Sequence, residues 1–223
     1  QAMVYMSNFK HDLKNSEIDN FISLEIYRTI AFNFFNIGNT SSAAEIEYMT
    51  ILAKEQLGWK CSQSDWASYF LYISNDDPEK IIQYKDKAIN ADNKYGESYS
   101  LFLNIGKAYS MLMDSDNGYG DSAIVYFNKA INAIDSNKEY YDENNLTNDA
   151  MVNINEAWAG HYLRLGNIEL SYNYSKKTLE INNAPSYIQY ANVSVKASFQ
   201  HDLNGIHEYL PRYFYGMEEE LCK

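Results

Sequence analysis

Residues 155–183, NEAWAGHYLRLGNIELSYNYSKKTLEINN, carry the clearest structural signal in this chain. Apolar residues recur at helical spacing on both sides of a central Leu-Gly-Asn turn: Trp158, Ala159, Tyr162 and Leu165 before it, and Leu170, Tyr174 and Leu179 after it. Gly166 supplies a helix stop, and Asn167 tolerates the turn that follows. The stretch therefore predicts two helices joined by a tight turn.

Near-copies of this unit occur earlier in the chain. Ile-Gly-Asn at 37–39 repeats the turn, and similar Lys-led helix endings lie at 87–92, 129–133 and 177–182. Residues 102–109 place a bulky aromatic, an Ile-Gly pair and a Tyr at the offsets of a first repeat helix. Together these segments resemble the tetratricopeptide repeat (TPR), a helix–turn–helix unit.

The resemblance implies an all-α fold, a TPR-like right-handed α-solenoid of antiparallel helix pairs with a C-terminal capping helix. The equivalent positions Ala88, Ala130 and Thr178 are 42 and 48 residues apart, whereas the TPR period is about 34 residues. The excess lies in the polar segments 114–120 and 136–148, where a solenoid tolerates insertions.

The predicted organisation is a lead-in arm or short helix at 1–17 followed by one repeat domain at 18–223. The expected hairpins of that domain lie at about 18–57, 62–92, 97–134 and 148–182, with a degenerate cap at 186–221.

Polar residues mark where several of these helices begin. Ser42 with Glu45, and Ser62 with Asp65, have the spacing of a capping box. Asp77-Pro78 is a strong helix start, because the carboxylate caps the first turn and proline suits its geometry.

Two further signals concern later helices. The segment 114–121 starts like a calcium loop, but it lacks the Gly and the Glu that an EF-hand needs, so Asp121 is expected to be a helix N-cap instead. Pro211 is expected to bend the last helix, predicted at 206–221, or to delay its start.

Composition bounds the classes of function. The hydrophobic fraction of 46% is enough for a buried core. A formal net charge of −12 disfavours nucleic acid and anionic membrane surfaces as partners. Membrane insertion is not expected, because no apolar run reaches the roughly 18 residues of a membrane span. Cys61 and Cys222 lack metal or redox spacing and are expected to be reduced thiols. The predicted compartment is the cytoplasm, with the periplasm or secretion as the alternative if a targeting segment preceded Gln1.

Two sets of residues are expected to pack the helices together. Small residues would let helices approach closely, and aromatics would fill the neighbouring gaps. The small residues are Ala31, Ala43, Gly106, Ala123, Ala130 and Ala159, and the aromatics are Phe34, Tyr72, Tyr109 and Tyr162.

The first helix of each hairpin carries a second stripe of residues, about a third of a turn away. In a TPR-like superhelix this stripe lines the concave groove, and aromatic and Arg side chains there are typical binding hot spots. The predicted binding residues are Arg28, Phe32, Phe35, Trp66, Phe70, Asn104, Lys107, Met111, Glu156 and Arg164.

Two alternatives bear on these residues. Phe32, Phe35, Trp66 and Phe70 could instead pack against the arm or the next repeat. TPR domains that grip a peptide carboxylate use Lys, Arg and Asn on the concave face, and Asn104 and Lys107, with Arg28 and Arg164 as further cations, match that set only in part.

The predicted function is a non-enzymatic protein–protein interaction module that binds a peptide or extended protein segment in its groove. Histidines do not cluster, and nucleophile, zinc-protease and nucleotide-binding motifs are missing from the sequence, so no catalytic residue, metal or cofactor is expected. The alternatives are a regulatory or sensory segment of a larger signalling protein, and a structural or homo-oligomerisation scaffold.

Overall fold

The computed structural model describes residues 21–94, 96, 98–114, 118–181 and 187–221. These residues form α-helices and one isolated β-bridge, between Ser62 and Asp92, so the all-α prediction is confirmed for them. The helices are α1 (Phe21–Asn36), α2 (Thr40–Gln56), α3 (Gln63–Ile73), α4 (Pro78–Ile89), α5 (Tyr99–Leu112), α6 (Tyr119–Ser136), α7 (Lys138–Glu143), α8 (Thr147–Arg164), α9 (Ile168–Ile181), α10 (Tyr187–Phe199) and α11 (Leu203–Leu221).

The chain divides into two compact units, at Leu112 and Met113. The division falls inside the predicted hairpin at 97–134, so α5 belongs to the first unit and α6 to the second. A single repeat domain over 18–223 therefore stays a prediction. The predicted arm at 1–17 lies outside the described residues, as do residues 115–117 of the calcium-like loop.

In the first unit each helix packs against the next one along the chain, from α1 to α5. Helix α3 also packs against α5, two elements later. Contacts of this kind, between neighbours and between alternate helices, are compatible with a helical repeat.

The two Gly-Asn turns share one local structure. Gly38 and Gly166 have φ of 79° and 73°, a region that glycine enters without steric cost. The next residue, Asn39 or Asn167, donates its backbone N–H to Phe34 or Tyr162 and thereby closes a Schellman motif on the preceding helix. Its side chain then caps the following helix by accepting a backbone N–H, at 3.1 Å in both cases. The predicted resemblance of the two turns is confirmed.

Two of the three helix N-caps predicted from the sequence of the first unit are confirmed, and one is wrong. Ser62 and Asp65 form the predicted capping box, and Asp77 accepts the Lys80 N–H at 3.1 Å. The predicted box of Ser42 and Glu45 is wrong. Asn39 is the N-cap of α2, because the Schellman turn ends there and already places its amide over the first helical turn.

Helix α3 lies at the centre of the first unit's core. It packs against α2, α4 and α5, and most of its side chains are buried as a result, including those of Trp66, Tyr69, Phe70 and Tyr72. The small residues predicted to allow close helix approach are buried in both units.

In the second unit α6 packs against α8, and each helix from α8 to α11 packs against the next one. The short helix α7 occupies part of the segment 136–148, which the sequence predicted only as a polar loop. Tyr141 of α7 is buried, and this apolar anchor gives the helix a packing site.

In the second unit the predicted N-cap Asp121 is wrong, and of the two effects predicted for Pro211 the late helix start is not found. Gly118 is the N-cap of α6, and Asp121 lies within the first turn, where its charge still favours the helix dipole. Helix α11 begins at Leu203 and carries Pro211 inside it, so the proline does not delay its start. The proline leaves the His207 carbonyl without its helical partner, but both residues are exposed, so water can serve that carbonyl.

The core of the second unit centres on Trp158. Its ring stacks on Tyr162 of the same helix and on Tyr174 of α9, with interplanar angles of 18° and 13°. The Ser171 hydroxyl donates a hydrogen bond to the Ala159 carbonyl at 2.7 Å and fixes α9 against α8.

In the described residues, no helix combines the length and the apolar character needed to cross a bilayer.

Candidate functional site

The predicted binding residues fall on four helices in two units. Arg28, Phe32 and Phe35 lie on α1, Trp66 and Phe70 on α3, and Asn104, Lys107 and Met111 on α5, all in the first unit. Glu156 and Arg164 lie on α8 of the second unit.

Trp66 and Phe70 are core residues. Trp66 is 1% exposed, and its ring lies 5.9 Å from that of Phe70 and 5.6 Å from that of Tyr84. Phe70 is fully buried. Because α3 is covered by three neighbouring helices, the stripe that carries these rings faces protein and not an open groove. The packing alternative accounts for both residues.

Asn104 is also buried, and its amide holds α5 against α3. Its Nδ2 donates a hydrogen bond to the Ala67 carbonyl at 3.3 Å. Lys107 and Met111 are half-buried further along the same helix. The Asn104 amide is therefore engaged within the fold, which weakens the resemblance to a carboxylate clamp.

Arg28 and Phe32 come together at a pocket of about 300 Å³, here called the Arg28–Phe32 pocket. Phe32 is 54% exposed and lines this pocket. Phe35 contacts Tyr72, with ring centroids 5.0 Å apart. The remaining lining residues come from α1, α2 and α3 and are Glu25, Thr29, Glu47, Ser68 and Tyr72.

Arg28 is held in place by three carboxylates. Its Nε lies 3.2 Å from Glu47, and its Nη1 lies 3.4 Å from Asp65 and 3.3 Å from Glu25. Lys54 completes the network, with its Nζ 2.9 Å from Asp65. A guanidinium fixed by several partners loses little further freedom when a ligand arrives, so the pocket wall is pre-organised.

Burial and neighbouring charges shift the ionisation of this network. Burial raises the pKa of Glu47 to about 7, although the nearby Arg28 acts in the opposite direction. Burial would also raise the pKa of Asp65, but the hydrogen bond and charge of Lys54 outweigh it and lower that pKa. Burial opposes the charge on Arg28, yet Glu47 and Asp65 raise its pKa.

Sequence reasoning missed Glu47, Lys54 and Asp65 as parts of this site. The sequence around Asp65 predicts only a helix cap. Glu47 and Lys54 lie 19 and 11 residues from their partners, so a helical periodicity signal could not reveal either pair.

A separate cleft of about 500 Å³ lies beside Trp66 and Cys61. Lys87 reaches over the Trp66 ring at 5.4 Å and pairs with Glu55 at 2.6 Å. Cys61 is a free cysteine, as predicted, and burial raises the pKa of its thiol to about 11. A thiol in this state is a weak nucleophile at neutral pH.

In the second unit, Glu156 and Arg164 are exposed on one side of α8. Arg164 Nη1 donates to the Gly160 carbonyl at 3.4 Å, one turn earlier. The two residues lie eight positions apart, which places them on one ridge.

Within the ranges that the structure describes, His, Cys, Asp and Glu side chains form no group of three or more that could hold a metal ion. In comparisons with known proteins, no protein-family model and no curated protein matches this chain.

Proposed function

We propose that the chain is a TPR-like interaction module that binds a peptide or an extended segment of another protein. The proposed architecture is a right-handed stack of antiparallel helix pairs with a concave groove and a C-terminal cap. The packing of alternate helices in the first unit and the shared Gly-Asn turn structure support this architecture.

The observation that carries the proposal is the exposed ring of Phe32 beside the fixed guanidinium of Arg28. Binding hot spots combine an aromatic or Arg anchor with a rigid, partly dry surrounding. Here the anchor is the Phe32 ring, and the hydroxyls of Ser68 and Tyr72 supply polar groups at the same pocket. Trp66, Phe70 and Asn104 act as support beneath the surface.

In this mechanism an apolar side chain of the partner covers Phe32, and the partner's backbone forms hydrogen bonds with the hydroxyls of Ser68 and Tyr72. The affinity for the partner would then depend on the Phe32 anchor and on the pre-organised ion pairs of Arg28 rather than on the total buried interface area. Arg28 serves mainly to shape the wall, because its charge is already matched by carboxylates.

The test is selection of a random peptide library displayed on phage against the full chain. Enriched peptides are then measured by fluorescence anisotropy on the wild type and on two variants. Phe32→Ala removes the proposed anchor. Ile26→Ala is the matched control, because Ile26 is 55% exposed on the same helix but does not line the pocket.

We expect enriched peptides to bind the wild type and Ile26→Ala alike, and to lose about tenfold in affinity on Phe32→Ala, which is about 1.4 kcal/mol. Enrichment of no peptide family, or equal binding to both variants, would contradict the proposal. Thermal unfolding of the three proteins checks that the folds are equivalent.

A further inference from the structure

A cavity of about 680 Å³ lies between α2, α3 and the start of α4 in the first unit. It is here called the Tyr48–Tyr69 cavity. Its volume is within the range of small-molecule and side-chain pockets, about 300–1,000 Å³. It shares no lining residue with the Arg28–Phe32 pocket.

Two tyrosine rings form one wall of this cavity. Tyr48 stacks on Tyr69 with ring centroids 5.1 Å apart and an interplanar angle of 29°. The Tyr48 hydroxyl shares a 2.9 Å hydrogen bond with the Tyr84 hydroxyl, which fixes the ring. The wall is therefore a rigid π surface.

The Tyr69 hydroxyl is the unusual group. The side chain is 2% exposed, and within the described residues its hydroxyl has no hydrogen-bond partner. The hydroxyl oxygen itself is not sealed from solvent, so it is accessible from the cavity. Because Tyr69 lines the cavity, a polar ligand group entering there would satisfy it.

The rim of the cavity is acidic. Three carboxylates, those of Glu45, Asp76 and Asp77, and one ammonium, that of Lys80, leave a formal charge of −2. Lys80 lies 3.5 Å from Asp77 and offsets part of that charge.

Asp76 is held toward the cavity mouth by Thr40, whose hydroxyl donates to it at 3.0 Å. These carboxylates are not grouped to hold a metal ion, since the described part of the chain contains no such cluster. An organic cation on an alkyl stem suits them better.

We propose that the Tyr48–Tyr69 cavity binds an organic cation on a flexible stem, the guanidinium of an Arg or the ammonium of a Lys side chain in a peptide. The π wall attracts the cation and packs its alkyl stem. The carboxylate of Asp76 pairs with the charge, and the Tyr69 hydroxyl accepts one N–H. The proposal does not rest on the function proposed above, because the two sites are separate.

The experiment is an NMR titration of the full chain at low ionic strength with three blocked tripeptides. They are N-acetyl-Gly-Arg-Gly-amide, its Lys counterpart and its neutral Gln counterpart. The first two arms distinguish guanidinium from ammonium, and the third measures binding that needs no charge.

Three variants make the result specific. Asp76→Asn removes one charge at the cavity, and Tyr69→Phe removes only the unpartnered hydroxyl. Glu79→Gln is the matched control, because it removes the same charge from an exposed residue of α4 that does not line the cavity.

We expect at least one cationic peptide to bind, with roughly fivefold weaker affinity on Asp76→Asn and a smaller loss on Tyr69→Phe, while Glu79→Gln matches the wild type. Tyr69→Phe should unfold at about the same temperature as the wild type, since the hydroxyl that it removes makes no hydrogen bond to another described residue.

Three results would overturn the proposal. The first is that the Gln peptide binds as tightly as the cationic peptides. The second is that Asp76→Asn and Glu79→Gln lose equal affinity for a cationic peptide. The third is that saturating amounts of the Arg and Lys peptides do not shift the NMR signals of Tyr48 or Tyr69. The second result would indicate diffuse attraction to an acidic surface.

Discussion

Asp65 accepts a hydrogen bond from Lys54 at 2.9 Å through Oδ1 and one from the Ser62 backbone at 2.8 Å through Oδ2. One buried carboxylate thus caps α3 and neutralises a buried ammonium of α2. The same carboxylate faces Arg28 of α1. Three helices of the first unit therefore depend on a single side chain.

Replacing Asp65 with Ala should lower the free energy of unfolding of the first unit by about 3–5 kcal/mol, because Lys54 is left buried without its counter-ion. Asp65→Asn keeps an oxygen for the Ser62 N–H and should cost less. Urea denaturation measures both losses. Asp86→Ala, an exposed carboxylate of α4, is the control and should change stability by less than about 0.5 kcal/mol. A loss in Asp65→Ala no larger than in the control would contradict the prediction.

Glu47 should make the first unit less stable as pH rises. Burial raises its pKa from 4.5 to about 7. The protonated form is therefore favoured in the folded state, so this contribution to stability is full below pH 4.5 and is lost as pH rises through about 7.

The stability of the wild type minus that of Glu47→Gln should fall by about 3 kcal/mol between roughly pH 4 and roughly pH 8. The amide keeps the shape and an acceptor for Arg28, so the comparison isolates the titration. Urea denaturation across this range gives the difference, and a constant difference would show that Glu47 does not titrate there.

His161 should make the second unit less stable as pH falls, which is the opposite pH dependence to that of Glu47. Burial, with a smaller contribution from the charge of Arg164, lowers its pKa below 6.5. Protonation therefore favours the unfolded state, so the stability contribution is full above pH 6.5 and is lost as pH falls through the lowered pKa. The wild type should lose stability relative to His161→Gln on acidification, as followed by circular dichroism melts. A relative gain on acidification would refute the assignment.

The stack of Trp158 on Tyr174 should carry much of the stability of the second unit. Trp158→Ala removes contacts with both stacked rings and should cost about 3–5 kcal/mol. Tyr140→Ala removes an exposed aromatic of the same unit and should cost less than about 1 kcal/mol. Denaturant unfolding followed by far-ultraviolet circular dichroism compares the two, and equal costs would mean that the stack contributes little.

Helix ends were predictable where the signal is contained within one turn of chain. The Gly-Asn turns and the Ser62–Asp65 box depend on groups three to five residues apart, and both were identified from the sequence. The start of α2 was missed, because Asn39 and Ser42 are both good caps and only the turn geometry selects the first.

The binding residues were harder to predict. A pattern of residues at helical spacing indicates which side chains share one face of a helix, but it does not indicate which other segment covers that face. Phe32 and Trp66 carry similar signals in sequence, yet one is half-exposed and the other is in the core. The difference arises because α3 has helices packed on several sides.

The helices, the turns that end them and some of the residues that cap them follow from the sequence alone, because those depend on propensity and on short-range hydrogen bonds. The packing of the helices, in contrast, sets which aromatic side chains stay at the surface and which carboxylates meet Arg28 and Lys54. Burial and ion pairing are set by the approach of segments distant in the chain, and periodicity within one helix carries no information about that approach.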